Sequence, residues 1–458
     1  MAEQFKEQGG VATMDPSWFR RWMTSRIMTR AVQVSTLEEK RRQTEQKRRA
    51  ENTPHRVLYF HQVDDGYSHL AAQLLAAFAS RYDVELQCYL VRGPTGANAP
   101  EPDLLSRLSR YEAFHIAPGY GLAFPQHEAA PHAELIRQAE AILAAQDSAG
   151  FIGCATAVGE ALWNDDVAAL AALAEAHGAA SDQEAGDAIS AGEARRRELK
   201  HYSGAMFYYG GEWYWGVDRL YHLEERLAGL GADLQPGAPL LAPRPEVDPG
   251  PIKDAGTLTL EIFPSLRSPY TAVVFDRAVQ LAADSGVKLV MRPVLPMVMR
   301  GVPATREKGF YIFTDTAREA RAAGVPFGNF YDPIGNPVRN CYSLYPWAEQ
   351  QGKGVELFSS FLRYAFAEGV NTNRQSGLRR VVEAAGLDWQ EARQHLGDPS
   401  WEALLEQNRL AMYEAGLWGV PSFRLLDAAG RSLLAIWGQD RLWLVAQEIR
   451  HQLAAKAG

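Results

Sequence analysis

The segment Arg-Val-Leu-Tyr-Phe-His-Gln-Val-Asp-Asp-Gly-Tyr-Ser from Arg56 to Ser68 lies without a gap on Thr-Leu-Glu-Ile-Phe-Pro-Ser-Leu-Arg-Ser-Pro-Tyr-Thr from Thr259 to Thr271. The register continues from Val84–Val91 onto Val287–Val294. Near the far ends, Trp215-Gly216-Val217-Asp218-Arg219-Leu220 answers Trp437-Gly438-Gln439-Asp440-Arg441-Leu442. A chain that repeats its pattern at both ends of each half is built to fold twice. Between the paired segments, Leu70, Leu74, Leu75 and Phe78 in one half and Val273, Val274, Ala278 and Leu281 in the other are spaced for one face of a helix. Each half therefore opens strand, helix, strand. A long helical region follows in each, including Glu160 to Ala176 in the first and Val355 to Phe366 and Gly377 to Ala385 in the second.

The break between the copies is rich in proline. Pro236, Pro239, Pro243, Pro245, Pro249 and Pro251 exclude both regular helix and central strand. At 458 residues the chain has room for two domains, each with its own core. The resulting division is a charged helical arm over 1–55, a first domain over 56–235, a linker over 236–256 and a second domain over 257–458. In the arm, the run from Glu38 to Arg49 reads as a solvated helix or a flexible segment. Trp18-Phe19-Arg20-Arg21-Trp22-Met23, with Ile27, Met28 and Val32, also reads as a basic amphipathic helix suited to a membrane surface or a protein partner.

Composition narrows the function classes. A net charge of -8 offers no basic excess for nucleic acid. Apolar stretches are interrupted well before the roughly 20 residues of a membrane span, and Met1–Gly10 lacks a signal pattern. The cytoplasm is the expected compartment. Cys88, Cys154 and Cys341 stand far apart, with neither a C-x-x-C nor a metal-ligand spacing, so they read as reduced thiols and no metal is expected.

A strand-helix framework interrupted by a helical insert resembles the DsbA-type branch of the thioredoxin superfamily. The expected class is α/β, with two tandem thioredoxin-like domains that each carry an inserted helical subdomain. Within that branch the second half resembles kappa-class glutathione transferases and 2-hydroxychromene-2-carboxylate isomerases. It does so through Ser268-Pro269-Tyr270, Lys308-Gly309, Gly419-Val420-Pro421-Ser422-Phe423 and the element from Trp437 to Leu442, in that order. The resemblance implies glutathione as cosubstrate.

The chemistry of each element follows from its residues. Ser268 is expected where a strand turns into a helix, beside unpaired N–H groups and the positive dipole end. Disulfide exchange would need cysteines where Ser268 and Thr271 stand. A serine hydroxyl can instead donate to a thiolate and favour ionisation of a thiol whose ordinary pKa is about 8.5. The plainer reading makes Ser268 an N-cap. Pro421 stands where thioredoxin-like folds hold a cis proline, with Val420 pairing the cysteinyl backbone of glutathione; the alternative is a trans proline at a strand edge. The resemblance sets Lys308 on the glycyl carboxylate, where a lone surface lysine reads equally as solvated, and Asp440, with Gln439, at the γ-glutamyl end; Asp440 reads equally as a helix cap. The asparagine expected before the lysine is missing from Met297-Val298-Met299-Arg300-Gly301-Val302-Pro303. The small aromatic electrophile is expected against Tyr270, Met297, Phe310, Tyr311, Phe330 and Tyr331, although aromatic residues at this density more often build core than pocket, and Phe310 and Tyr311 are expected to point apart.

The first half keeps the fold and loses the chemistry. Asp65 replaces the serine, Gly66 the proline after it, and Ala205 stands in place of Pro421. A carboxylate there repels a thiolate. The expected role is as an intrachain pseudo-dimer partner. His61 and His69 read as isolated core or surface residues. The function expected is isomerisation or conjugation through the glutathione thiolate; the alternative is a non-catalytic thioredoxin-fold binding or scaffold protein.

Overall fold

The computed structural model describes residues 15–126, 129–302 and 304–457. Met1–Gly10 of the signal-pattern reading and Pro303 of the segment before the lysine lie outside the described residues. The chain divides into two compact units, Glu38–Glu246 and a second formed by the described part of Met1–Leu37 with Val247–Gly458. The arm read over 1–55 is two helices, α1 (Trp18–Val32) and α2 (Val34–Ala50), and the division falls within α2.

In the first unit the order is β1 (Arg56–His61), α3 (Gly66–Arg81), β2 (Glu85–Leu90), α4 (Pro102–Ile116), α5 (Ala133–Ala144), α6 (Ser148–Trp163), α7 (Val167–His177), α8 (Asp182–Glu198), β3 (Met206–Tyr209), β4 (Glu212–Trp215) and α9 (Gly216–Gly229). The strands are ordered β2-β1-β3-β4, with β1 parallel to β2 and the other pairs antiparallel. The helical region read as continuous from Glu160 to Ala176 is broken between α6 and α7. Asp165 takes a left-handed φ of 52°, and the Asp166 carboxylate accepts the Ala169 N–H at 2.9 Å to start the next helix.

The second unit repeats the plan with β5 (Thr259–Phe263), α10 (Pro269–Ser285), β6 (Lys288–Met291), α11 (Arg306–Ala322), α12 (Asn336–Gln350), α13 (Gly354–Phe366), α14 (Gln375–Ala384), the short α15 (Trp389–Ala392), α16 (Ser400–Glu414), β7 (Ser422–Leu426), β8 (Ser432–Trp437) and α17 (Leu442–Ala457). Its strand order, β6-β5-β7-β8, and pairing senses match those of the first sheet. Both sheets are mixed α/β layers with helices against them, as the resemblance implies. Leu260, Ile262, Phe263, Phe423 and Ile436 are wholly buried in the second core, and Val57, Tyr59, Phe60 and Phe207 in the first. Within each unit the helix after the first strand packs against later ones: α6 and α9 on α3, and α11, α13 and α17 on α10. Helix α10 is thus packed against both the insert and the last helix.

The helix α1 packs against α11, and an arginine ties it to the loop that follows α11. Arg21 is 1% exposed, and its guanidinium donates to the carbonyls of Asp332 (2.7 Å) and Ile334 (2.5 Å) and to Asp15 (2.6 Å). One turn on, the Ser25 hydroxyl accepts the Asp332 N–H at 2.9 Å, and one turn further Thr29 accepts that of Phe330 at 3.0 Å. Removing Arg21 leaves buried carbonyls without donors, so Arg21→Ala is expected to cost about 2–3 kcal/mol in urea unfolding, with faster proteolysis within α1. Arg20→Ala, at an exposed neighbour, is expected to change stability by less than about 0.5 kcal/mol.

Candidate functional site

Strand β5 runs into Pro264, and the chain turns through Ser265–Arg267 before α10 begins. Ser268 closes the turn with its N–H on the Ser265 carbonyl at 3.0 Å. Its hydroxyl accepts the Thr271 N–H at 3.2 Å, the N-cap geometry, and donates to the Val420 carbonyl at 3.3 Å. Pro269 follows at the first helical position, where its missing N–H costs nothing. Thr271 turns inward, wholly buried, with its hydroxyl oxygen accepting the Ser265 N–H. Of the two positions that a dithiol enzyme would fill with cysteine, only Ser268 keeps partial exposure.

Opposite Ser268 runs the segment Trp418-Gly419-Val420-Pro421. The Val420–Pro421 peptide bond is cis. The Pro421 carbonyl accepts the Gly438 N–H at 3.0 Å, and the Ser422 hydroxyl donates to the Gly419 carbonyl at 2.7 Å, so this segment is tied at both flanks. Gly419 is required by contact, since a Cβ there would lie 2.3 Å from the Trp437 indole nitrogen. Val420 is half-buried, and its amide N–H donates to no group among the described residues. A backbone donor left open beside a helix N-terminus can take a carbonyl from an extended peptide.

Lys308 approaches the same segment from α11. Thr305 caps that helix by accepting the Lys308 N–H at 3.2 Å, and the Lys308 ammonium lies 5.5 Å from the centre of the Trp418 ring. Trp418 in turn meets Trp437 edge-on, with ring centroids 5.8 Å apart. Ser268 at Val420 and Lys308 at Trp418 therefore converge on neighbouring parts of one short stretch of chain. Trp418, which joins lysine and loop, was not singled out from the sequence, although it immediately precedes the Gly-Val-Pro motif.

The remaining expected residues divide by burial and by partner. Gln439 and Asp440 lie in a 3-10 turn ahead of α17, next to the Gly438 that bonds Pro421. Gln439 is buried, with its amide donating to the Glu319 carboxylate at 2.9 Å. The Asp440 carboxylate keeps 20% exposure and lies 3.6 Å from Arg441. It folds over Gly438, where φ is 120° and a Cβ would sit 2.5 Å from an Asp440 oxygen. Tyr270 is half-buried, and its hydroxyl donates to Asp315 at 2.7 Å, a carboxylate also held by Arg318. Met297 is half-buried in the turn before α11. Phe310 is 48% exposed and Tyr311 only 7%, so the two side chains part as expected. Phe330 belongs to a ring cluster with Phe313 and Phe366, while Tyr331 is half-buried.

The first unit shows the same scaffold closed. The Gly216 N–H bonds the Ala205 carbonyl at 2.7 Å, in the manner of Gly438 on Pro421, and Ala205 has a left-handed φ of 53°. Asp65 caps α3, accepting from the Ser68 N–H and hydroxyl, each at 2.9 Å, and from the Ser109 hydroxyl at 2.8 Å. Burial pushes its carboxyl above the usual range. Helix α4 presses on this point so closely that a Cβ on Gly66 would come within 2.8 Å of the Ala113 Cβ. His61 and His69 are buried, and burial pulls them down to about 3 and about 4. The thiols are free, and burial pushes Cys88 up to about 12.

Burial also holds Lys308 down to about 8, against an ordinary 10.5. Between those values the unfolded chain binds the proton more tightly, so this lysine makes stability rise as pH climbs from about 8 to about 10.5. Below about 8 both states carry the proton, and the lysine contributes no pH dependence. Lys308→Met is therefore expected to be more stable than the parent at neutral pH by about 2 kcal/mol, and to lose this rise. Urea midpoints of the two proteins measured across that window check this; parallel profiles contradict it.

Against known proteins, residues 259–450 match the family model of the DSBA-like thioredoxin domain. A 2-hydroxychromene-2-carboxylate isomerase structure is similar at 18% identity and TM-score 0.37, over 43% of this chain and 98% of that one. A probable DsbA oxidoreductase from Streptomyces coelicolor is similar at 19% identity and TM-score 0.33, over 43% and 91%. The cytosolic disulfide reductase DsbM from Pseudomonas aeruginosa is similar at 17% identity and TM-score 0.34, over 43% and 98%. No curated protein matches the chain. The segment from Thr259 to Arg450 is a DSBA-like thioredoxin domain.

Proposed function

We propose that the second unit is a glutathione-dependent isomerase or transferase, of the kappa-class kind, acting on a small electrophilic aromatic substrate. The observation that carries this reading is Ser268: a hydroxyl at the N-terminus of α10, bonded to Val420 beside an open backbone amide, where a dithiol enzyme would have cysteine. Glutathione supplies the nucleophilic thiol that the chain itself lacks at this point.

The residues present fit such a cosubstrate. The Ser268 hydroxyl rotates from the Val420 carbonyl to donate to the sulfur, and the dipole of α10 favours the negative form. The Val420 amide takes the cysteinyl carbonyl in strand fashion. Lys308, half-buried against Trp418, offers its ammonium to the glycyl carboxylate, and the approach of that negative charge raises its proton affinity again. Asp440 takes the γ-glutamyl ammonium, while Gln439, buried with its amide on Glu319, holds the turn that carries Asp440. The electrophile is attacked by the sulfur, with Tyr270, Phe310, Tyr311 and Met297 disposed around it. Expulsion of the thiolate after rearrangement gives isomerisation, and its retention gives a conjugate.

Thermal unfolding with reduced glutathione tests the binding, because a ligand of the folded state raises Tm. Millimolar reduced glutathione is expected to raise Tm of the parent, and to raise it less for Ser268→Asp, which keeps the cap but sets a carboxylate against the sulfur. An unmoved Tm in the parent contradicts the reading and favours a non-catalytic binding protein. With aromatic electrophiles, Ser268→Ala is expected to lower turnover about a hundredfold, and Asp65→Ala to leave it unchanged. Each removes one cap worth about 1 kcal/mol, so equal losses of turnover would point to stability alone.

A further inference from the structure

Helix α1 is held by one face and bare on the other. Arg21, Ser25 and Thr29 recur at one-turn spacing on the docked face, each bonded to the stretch Phe330–Ile334. The outer face carries Trp18, Phe19, Trp22, Met23 and Ile27, with Trp18 73% and Ile27 58% exposed. Trp18 and Phe19 meet edge-on, and Phe19 and Trp22 stack with centroids 6.2 Å apart, so the rings form one patch. Beside it lie Arg20, Arg26 and Arg30, all exposed, and Arg26 sits 5.9 Å from the centre of the Trp22 ring. The helix has no Asp or Glu, although the chain has 55 acidic residues against 47 lysines and arginines.

A continuous apolar patch on a surface marks a binding face. Its chemistry selects the occupant. Tryptophan prefers the boundary between headgroups and acyl chains, and arginines on the flank of an amphipathic helix pair with anionic headgroups. No described helix is long and apolar enough to cross a membrane, so α1 would lie along the surface. We propose that the outer face of α1 docks the protein on an anionic phospholipid surface, with Trp18, Phe19, Trp22, Met23 and Ile27 at the acyl boundary and Arg20, Arg26 and Arg30 among the phosphates. This inference does not depend on the glutathione reading.

Flotation of the full chain with vesicles tests it. Vesicles of equimolar phosphatidylcholine and phosphatidylserine are expected to carry the protein, and vesicles of phosphatidylcholine alone to carry far less. Each exposed arginine near an anionic surface is worth roughly fivefold in partitioning, so Arg26→Glu with Arg30→Glu is expected to lower binding more than about tenfold. Phe19→Ser with Trp22→Ser is expected to lower it similarly, with Tm and secondary structure unchanged because these side chains are exposed. Raised salt weakens the electrostatic part. Absence of binding to either vesicle, equal binding to both, or full binding by both variants overturns the proposal. So does a concentration-dependent dimer that the Phe19/Trp22 variant abolishes in the absence of vesicle binding, which would make a second copy the occupant.

Discussion

A single hydroxyl joins the two parts of the second unit on which the site depends. The oxygen of Ser268 takes the Thr271 N–H at the start of α10, and its proton goes to the carbonyl of Val420. The helix end and the loop before β7 are distant in sequence, yet this contact brings them together. Around it, the Pro421 carbonyl is fixed by Gly438, and Gly419 is fixed by Trp437. A thiolate placed at this junction would face the hydroxyl and the helix dipole, with the Val420 amide beside it.

The two units show what such a scaffold permits. Strand order, the helix after the first strand, and the bond from Gly216 or Gly438 are shared. The inserted helices differ in number and length, and so do the residues at the junction. In the first unit, Asp65 has absorbed its hydrogen bonds from Ser68 and Ser109, and α4 closes over Gly66. A carboxylate that needs two serines to be tolerated there has no room for an anionic ligand. The same strand order and first helix therefore carry different residues at the junction, since the core lies in β1, β3 and α3 and the junction at the end of one helix.

Much of the framework was legible because it rests on local rules. Gapless pairing of the first strands and the apolar faces of α3 and α10 gave the repeat, and a serine before proline marked a helix start. The ring at Trp418 that Lys308 approaches was not legible, because the approach joins residues on separate elements. Nor was the docking of α1: Arg20 and Arg21 are neighbours of one type, and only the carbonyls of Asp332 and Ile334 decide which goes inside. The break at Asp165 was legible in Asn164-Asp165-Asp166, three turn and cap formers, but the alanine- and leucine-rich stretches around them carried the helical reading across it. Side-chain splitting of Phe310 and Tyr311 followed from helical geometry alone.

The most direct measurement is the ionisation of glutathione bound to the full chain, read from thiolate absorbance as a function of pH. If Ser268 and the end of α10 act on the sulfur, the thiol will ionise below its ordinary pKa of about 8.5 in the parent, and return toward that value in Ser268→Ala. An unshifted thiol in the parent, or the same depression with and without the Ser268 hydroxyl, would contradict the role assigned to it.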